Sequence, residues 1–353
     1  MKPNNWTNSR RQFLNKSLMG VSTLLTPWPA FSGKTKSLQE GGKQMDTDSK
    51  SFVPVMLTPY KSDKSIDYHQ LDRLTDHYLA AGARGLFSNC LSSEMYELSP
   101  EERLKIAKRV QGRVNGKFPV VATGSFGDTL QKKADFTKKM EDTGVDAVIM
   151  ITAHFAEKDQ SDGEMIKNLE KFLKLTEGIP LGTYECPSPY KRILSEEVLS
   201  HILPSGRLIY HKDTTEDIDD IARKLAISKG SELGLYNAHI GSAVASLRMG
   251  GAGLSPIAGN YYPEIIAWIC QHATDPLKKE EVDWLQIQLA KMEPIITKNY
   301  QLSSRYFLNQ SGMSLELLSR NSKGQLSGDE MKILDNAVKE VNSWKERLGL
   351  PLV

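Results

Sequence analysis

The sequence predicts an α/β fold, a (β/α)8 TIM barrel with additional C-terminal helices. Three observations predict it. From residue 52 onward, eight short apolar runs alternate with eight helix-like stretches. The runs are continuously hydrophobic, as strands covered on both faces are. Strict alternation argues for parallel strands, and eight units in about 220 residues fit a barrel. An open doubly wound sheet is the competing fold, but no Gly-x-Gly-x-x-Gly follows the first run.

Taken in order, "FVPVMLTP" precedes "DYHQLDRLTDHYLAAG", whose helical spacing ends in glycine. "ARGLFSNC" precedes "SPEERLKIAKRVQGRV", with Ser99 as N-cap, Pro100 at the first helical position and acids in the first turn. "PVVATG", "VDAVIMIT" and "IPLGTYECP" follow, each before a helical stretch. "RLIYHKD" precedes "TEDIDDIARKLAIS", "ELGLYN" precedes "IGSAVASLRMGG", and "AGLSPIAGN" precedes "YPEIIAWICQHA". The barrel is thus expected over residues 52–275, with residues 276–353 as a helical extension packed on it.

Residues 1–33 differ from the rest. Arg10-Arg11, then Phe13-Leu14, Lys16 and a modestly apolar stretch, end near the small residues of Ala30-Phe31-Ser32. This order resembles a bacterial twin-arginine export signal and implies an exported, periplasmic protein; a basic tail with a chance Arg-Arg is the plain alternative. Residues 34–51 read as a polar linker.

Composition excludes several classes. The 353 residues are 39% hydrophobic, and 45 basic against 43 acidic residues leave a net charge of +2. No basic face argues for nucleic acid, and no run of about 18 apolar residues argues for a membrane span. The three cysteines Cys90, Cys186 and Cys270 make no disulfide framework, and no CxxC or HExxH metal pattern is present.

Lys212 ends the sixth run, at the barrel face that carries chemistry. If it points inward, alternation puts Tyr210 inward and His211 outward. A lysine held against apolar walls loses affinity for its proton, and a neutral amine attacks carbonyls. The structural alternative is a snorkelling lysine or an ion pair with Asp213 or Glu216.

Four other run ends carry further signals: "CLSSEMYELSPEER", "ATGSFGDT", "TYECP" and "GLSPIAGNYYPE". With "KDTT" around Lys212, a tyrosine ending the fifth run, and Gly-Asn plus proline after the eighth, the chain resembles the dihydrodipicolinate synthase and N-acetylneuraminate lyase family. These are pyruvate-dependent class I aldolases. The resemblance covers roughly residues 52–275.

By that resemblance Lys212 forms an imine with pyruvate or another 2-oxo acid, and Tyr184 handles protons beside it. Ser92 and Ser93, in the loop that usually reads Gly-Thr-Thr-Gly-Glu, bind the substrate together with Thr214 and Ile257. Such chemistry requires neither a cofactor nor a metal ion. Glu94 is expected to bond backbone N–H groups. The family's frequent assembly as dimers or tetramers implies a homo-oligomer, with Phe155 at the inter-subunit tyrosine position.

Three departures are plain. Leu91 replaces the first loop hydroxyl, which interrupts or reroutes the proton relay. Pro189 stands where the condensing enzymes carry an arginine, with Arg192 three residues on. Ile240 and Gly241 stand where sialic acid lyases place acidic residues. His154 and His239 are then the candidates for binding substrate hydroxyls. With Glu185 they also form a possible metal set, although nothing in their spacing supports one. Two other functions stay open: a barrel that binds 2-oxo acids without turnover, and a metal-dependent or glycan hydrolase barrel using paired carboxylates such as Glu94 and Glu185.

Overall fold

The computed structural model describes residues 50–322 and 324–352. The proposed leader and nearly all of the linker lie outside the described residues.

Eight parallel strands form one sheet: β1 (Ser51–Phe52), β2 (Leu86–Phe87), β3 (Val120–Thr123), β4 (Ala147–Ile151), β5 (Leu181–Tyr184), β6 (Leu208–Asp213), β7 (Gly234–Asn237) and β8 (Gly253–Leu254). They follow chain order from β2 to β8, and β1 lies beside β8. A parallel bridge from Val55 to Phe87 joins the β1 segment to β2, so the curled sheet meets itself. The first apolar run is longer than its strand because Pro54 has no N–H to give the ladder.

Helices connect the strands: α1 (Tyr68–Ala80), α2 (Pro100–Val114), α3 (Leu130–Glu141), α4 (Asp162–Leu175), α5 (Glu196–Ile202), α6 (Ile218–Ser228), α7 (Ala243–Arg248) and α8 (Pro263–His272). Six of these eight helices start at a side-chain cap; α7 and α8 do not. Ser99 accepts from the Glu102 N–H and Glu102 reaches back to the Ser99 N–H, with Pro100 between them. Asp67, Thr129, Ser161, Ser195 and Asp217 cap α1, α3, α4, α5 and α6 in the same way.

Side chains fill the interior of the sheet. Tyr210 stacks on Tyr236 with ring centroids 4.5 Å apart, and Phe87 meets both Tyr184 and Tyr210 edge to face. The β8 backbone approaches β1 so closely that a Cβ on Gly253 would lie 1.9 Å from the Ser51 carbonyl oxygen. Gly253→Ala is therefore expected to cost about 1–3 kcal/mol by forcing the two strands apart. Urea denaturation of the variant checks this, and an unchanged midpoint contradicts it.

Three further helices follow: α9 (Lys279–Ile296), α10 (Tyr300–Gln310) and α11 (Gly328–Leu348). Glu94 anchors them. Its carboxylate pairs with the fully buried Arg305 of α10 at 2.9 Å. It also accepts from Ser319 Oγ at 2.8 Å and from the N–H groups of Arg320 and Asn321. Glu94 thus bonds backbone N–H groups, and both its oxygens are committed to the C-terminal segment. No described helix is long and apolar enough to cross a membrane.

Candidate active site

β5 and β6 pair in register with Tyr184 opposite Lys212, at the C-terminal ends of both strands. Lys212 is 3% exposed, with its Nζ 4.5 Å from the Tyr184 ring centroid and 5.9 Å from that of Phe87. Alternation holds around it. Tyr210 faces the interior stack, while His211 turns outward to Thr183 Oγ1, 2.9 Å from Nδ1.

Neither acid near Lys212 in sequence partners it. Asp213 and Glu185 lie 2.8 Å and 2.5 Å from Lys224 Nζ of α6, and Glu216 pairs with Lys191 at 3.2 Å. Among the described residues, no ion pair or hydrogen bond holds the Lys212 ammonium. Burial therefore moves its pKa below the ordinary lysine range. The neighbouring Cys90 and Cys186 thiols would oppose this if ionised, but burial pushes Cys186 up to about 11. Tyr184 moves the other way: burial first, then Cys186 and Cys90, hold its phenol protonated well above the usual range. The pair is thus an amine biased toward its neutral form beside a phenol that keeps its proton. This is the separation of acid and nucleophile that imine chemistry uses.

The loop after β2 supplies the remaining groups. Leu91–Ser93 form a short 3-10 turn, whose opening N–H groups have no acceptor within the turn. The Ser92 hydroxyl accepts from Tyr300 of α10 at 2.8 Å. The Ser93 hydroxyl is spent on structural partners: it donates to Met56 O at 2.6 Å and Ser88 O and accepts from the Cys90 N–H. Leu91 and Ile257 both border the apolar cluster that contains Tyr184.

Several other residues take structural positions. Thr214 gives its N–H and hydroxyl to Glu185, at 2.8 Å and 2.6 Å, and so ties the end of β6 to that of β5. His154 has both ring nitrogens occupied, Nδ1 by Ser125 and Nε2 by the Tyr96 hydroxyl at 3.1 Å. Burial lowers its pKa to about 4, so it stays neutral there. His239 turns its Nδ1 to Ser242 Oγ, 3.0 Å away, and its ring lies over Gly241. Phe155 is 1% exposed and packs edge to face on Phe172 of its own chain, so its ring is not offered to a second subunit.

The metal set of His154, His239 and Glu185 is not brought together. Glu185 points outward, where alternation after the inward Tyr184 places it. It forms a cluster there with His211 and Asp213, whose ligand atoms lie within 4.8 Å of one another. Lys224 Nζ already touches Glu185 and Asp213, so a cation stands where an ion would bind.

A sequence model of the dihydrodipicolinate synthetase family matches residues 48–341. The chain belongs to this family. A 4-hydroxy-tetrahydrodipicolinate synthase of Cellvibrio japonicus is 25% identical over 234 residues, 66% of this chain and 79% of the relative. The synthase of Bacillus velezensis is 25% identical over 205 residues, 58% of this chain and 69% of the relative. Among solved structures, YagE from E. coli K12, a family member in complex with pyruvate, aligns with a TM-score of 0.73 at 18% identity. That alignment covers 83% of this chain and 98% of YagE. The synthase of Bacteroides thetaiotaomicron aligns with a TM-score of 0.73 at 20% identity, over 82% and 98% of the two chains. These structures share the fold.

Three features of this family member were not visible in the sequence. Tyr300 and Arg305 arrive from a helix remote in sequence, and no local motif marks either. The Cys186 thiol faces the Tyr184 and Tyr96 phenols, which the sequence reading passed over.

Proposed function

We propose that the protein is a Schiff-base (class I) lyase that acts on pyruvate or a longer, sugar-derived 2-oxo acid through an imine on Lys212. One observation carries this reading: Lys212 is buried at a strand end, opposite a protonated phenol, while both carboxylates beside it in sequence are paired with other lysines. A lysine kept for a structural ion pair would not be left so.

The neutral amine attacks the C2 carbonyl, forming the C–N bond as the carbonyl π pair moves to oxygen. One proton of the attacking nitrogen passes to this oxygen, and Tyr184 delivers the second, so that the oxygen leaves as water and an iminium remains. The Tyr184 phenolate takes the C4 hydroxyl proton as the electron pair of the C3–C4 bond moves to the iminium, and an aldehyde departs. Protonation at C3 and hydrolysis then return 2-oxo acid and amine. The Ser92 hydroxyl and the opening N–H groups of its turn receive the carboxylate.

The reaction proposed is not condensation with aspartate semialdehyde. Pro189 supplies no charge for a second carboxylate, and Arg192 is tied to Asp162 at 2.8 Å and to Glu157 O. The order of Arg10-Arg11, Phe13-Leu14 and Lys16 supports export to the periplasm, which fractionation of the native host checks. We propose a homo-oligomer as well, with contacts other than Phe155.

The test is release of pyruvate or a homologous 2-oxo acid from a panel of 4-hydroxy-2-oxo acids, coupled to a reductase. Turnover of at least one is expected; none, at any concentration, contradicts a lyase. A barrel that binds 2-oxo acids without turnover is favoured by one feature, Leu91 in place of a relay hydroxyl. Imine formation without any turnover would select it.

Tyr184→Phe is expected to lower turnover by about 10²–10⁴-fold and to slow imine formation on Lys212 less, because solvent can supply the dehydration proton. Single-turnover kinetics checks this. Complete loss of imine in a folded variant contradicts the division of roles between Lys212 and Tyr184.

A further inference from the structure

The Ser92 hydroxyl lies at the end of a directed chain of hydrogen bonds. Tyr78 donates to Asn260 Oδ1. The Asn260 amide nitrogen donates to Val55 O at 2.8 Å and to the Tyr300 hydroxyl at 2.6 Å. A backbone carbonyl only accepts, and an amide nitrogen only donates, so the orientation of Asn260 is fixed from two sides. The Tyr300 oxygen is therefore an acceptor toward Asn260, and its own hydrogen goes to Ser92 Oγ at 2.8 Å. With that lone pair occupied, the Ser92 hydrogen is the group left to give. Among the described residues it donates to no protein acceptor. Gln301, next along α10, also holds this residue, donating to Ser92 O at 3.1 Å.

We infer that Tyr300 is a positioning residue that fixes the Ser92 hydroxyl as a donor to the carboxylate of the 2-oxo acid. The inference rests on the imine reading above and assigns α10 a part in the site. Each bond in such a chain polarises the next, so an anion at its end is held more strongly than by an isolated serine. The phenol enters from the C-terminal segment, at the loop where Leu91 has removed a hydroxyl. Burial above all, then the Cys186 and Cys90 thiols and last Tyr300, raise the Tyr184 pKa.

The experiment is borohydride trapping at graded concentrations of pyruvate and of its neutral methyl ester, on wild type, Tyr300→Phe, Ser92→Ala and the double variant. The Phe ring keeps the packing and removes only the hydroxyl. For Tyr300→Phe, half-saturating pyruvate is expected to rise about tenfold, with the saturating trapping rate nearly unchanged. Trapping of the ester is expected to change little. The double variant is expected to be no worse than Ser92→Ala alone, because the two groups act as one unit.

An unchanged pyruvate response in Tyr300→Phe, with wild type trapped normally, overturns the inference and leaves the imine reading standing. Equal weakening toward pyruvate and ester also overturns it, since Tyr300 would then only support the fold. So would additive losses in the double variant. Failure of wild type to trap pyruvate or any longer 2-oxo acid overturns the imine reading itself, and this inference with it.

Discussion

Lys212→Ala removes turnover, with a loss of roughly a thousandfold or more, equivalent to about 4 kcal/mol of barrier. No other described amine is placed to replace it. Lys224 is held by two buried carboxylates at 2.5 Å and 2.8 Å and by Asp220 at 2.7 Å, and Lys191 pairs with Glu216. The carboxylates around Lys224 raise its pKa against the effect of burial, so its ammonium stays charged and is not nucleophilic. The fold survives the change, because Lys212 contributes no hydrogen bond or ion pair that Ala would break. Removing an amine whose charge is poorly solvated offsets part of the packing lost beside Phe87 and Tyr184. Lys212→Arg does not restore activity, since a guanidinium keeps its proton at any working pH. Steady-state kinetics with circular dichroism on the same samples checks this. Turnover at the wild-type rate in a folded Lys212→Ala protein excludes an imine at this residue.

Lys224→Met is expected to have the largest effect on stability, a loss of about 3–5 kcal/mol near neutral pH. Lys224, Glu185, Asp213 and His211 are all fully buried, and the ammonium is the charge that offsets two carboxylates. Glu185 also accepts from the Leu194 and Thr214 N–H groups, so the cluster joins β5, β6 and the chain leading into α5. Without the ammonium, two carboxylates would face each other out of water, with only His211 Nε2 near them, 3.6 Å from Glu185 and 3.5 Å from Asp213.

The pH dependence has a definite sign. Burial alone would raise the Asp213 pKa, but the bond and charge of His211 and those of Lys224 together hold it below its ordinary value. A depressed carboxyl adds stability that is present above the unfolded pKa, about 3.9, and is lost as the pH falls toward the folded value. In Lys224→Met, the burial that Lys224 offsets is expected to dominate and to raise the Asp213 carboxyl above its unfolded value, so protonation favours the folded state. The gap between variant and wild type therefore narrows as the pH falls, first above about 3.9 as the variant takes up its proton, then below it as wild type loses the Asp213 contribution. Urea denaturation at several pH values checks this, and a gap independent of pH contradicts it.

The elements were largely legible because the physics that makes them is local. The stretch "AVIMI" is apolar throughout because β4 is covered on both faces, and Ser99-Pro100-Glu102 carries its own helix start. Alternation ties Tyr210 inward and His211 outward to an inward Lys212, but does not by itself say that Lys212 points inward. The same rule, applied one strand earlier, would have turned Glu185 outward once Tyr184 was read as inward. Treating every polar residue near a strand end as facing the mouth obscured it. His154 and His239 illustrate the same limit. A histidine at a strand end can face a ligand or bond to nearby loops, and the contacts of His154 with Ser125 and of His239 with Ser242 appear only in space. The part played by Tyr300 was not legible, because no spacing links it to Ser92, 208 residues away.

The central claim is the imine on Lys212. The measurement that tests it most directly is borohydride reduction of the protein with pyruvate, followed by peptide mass spectrometry. The account predicts a single reduced pyruvyl adduct on Lys212, formed faster at mildly alkaline pH than an exposed lysine would allow. An adduct on another lysine, or none with pyruvate and a panel of longer 2-oxo acids, would contradict it.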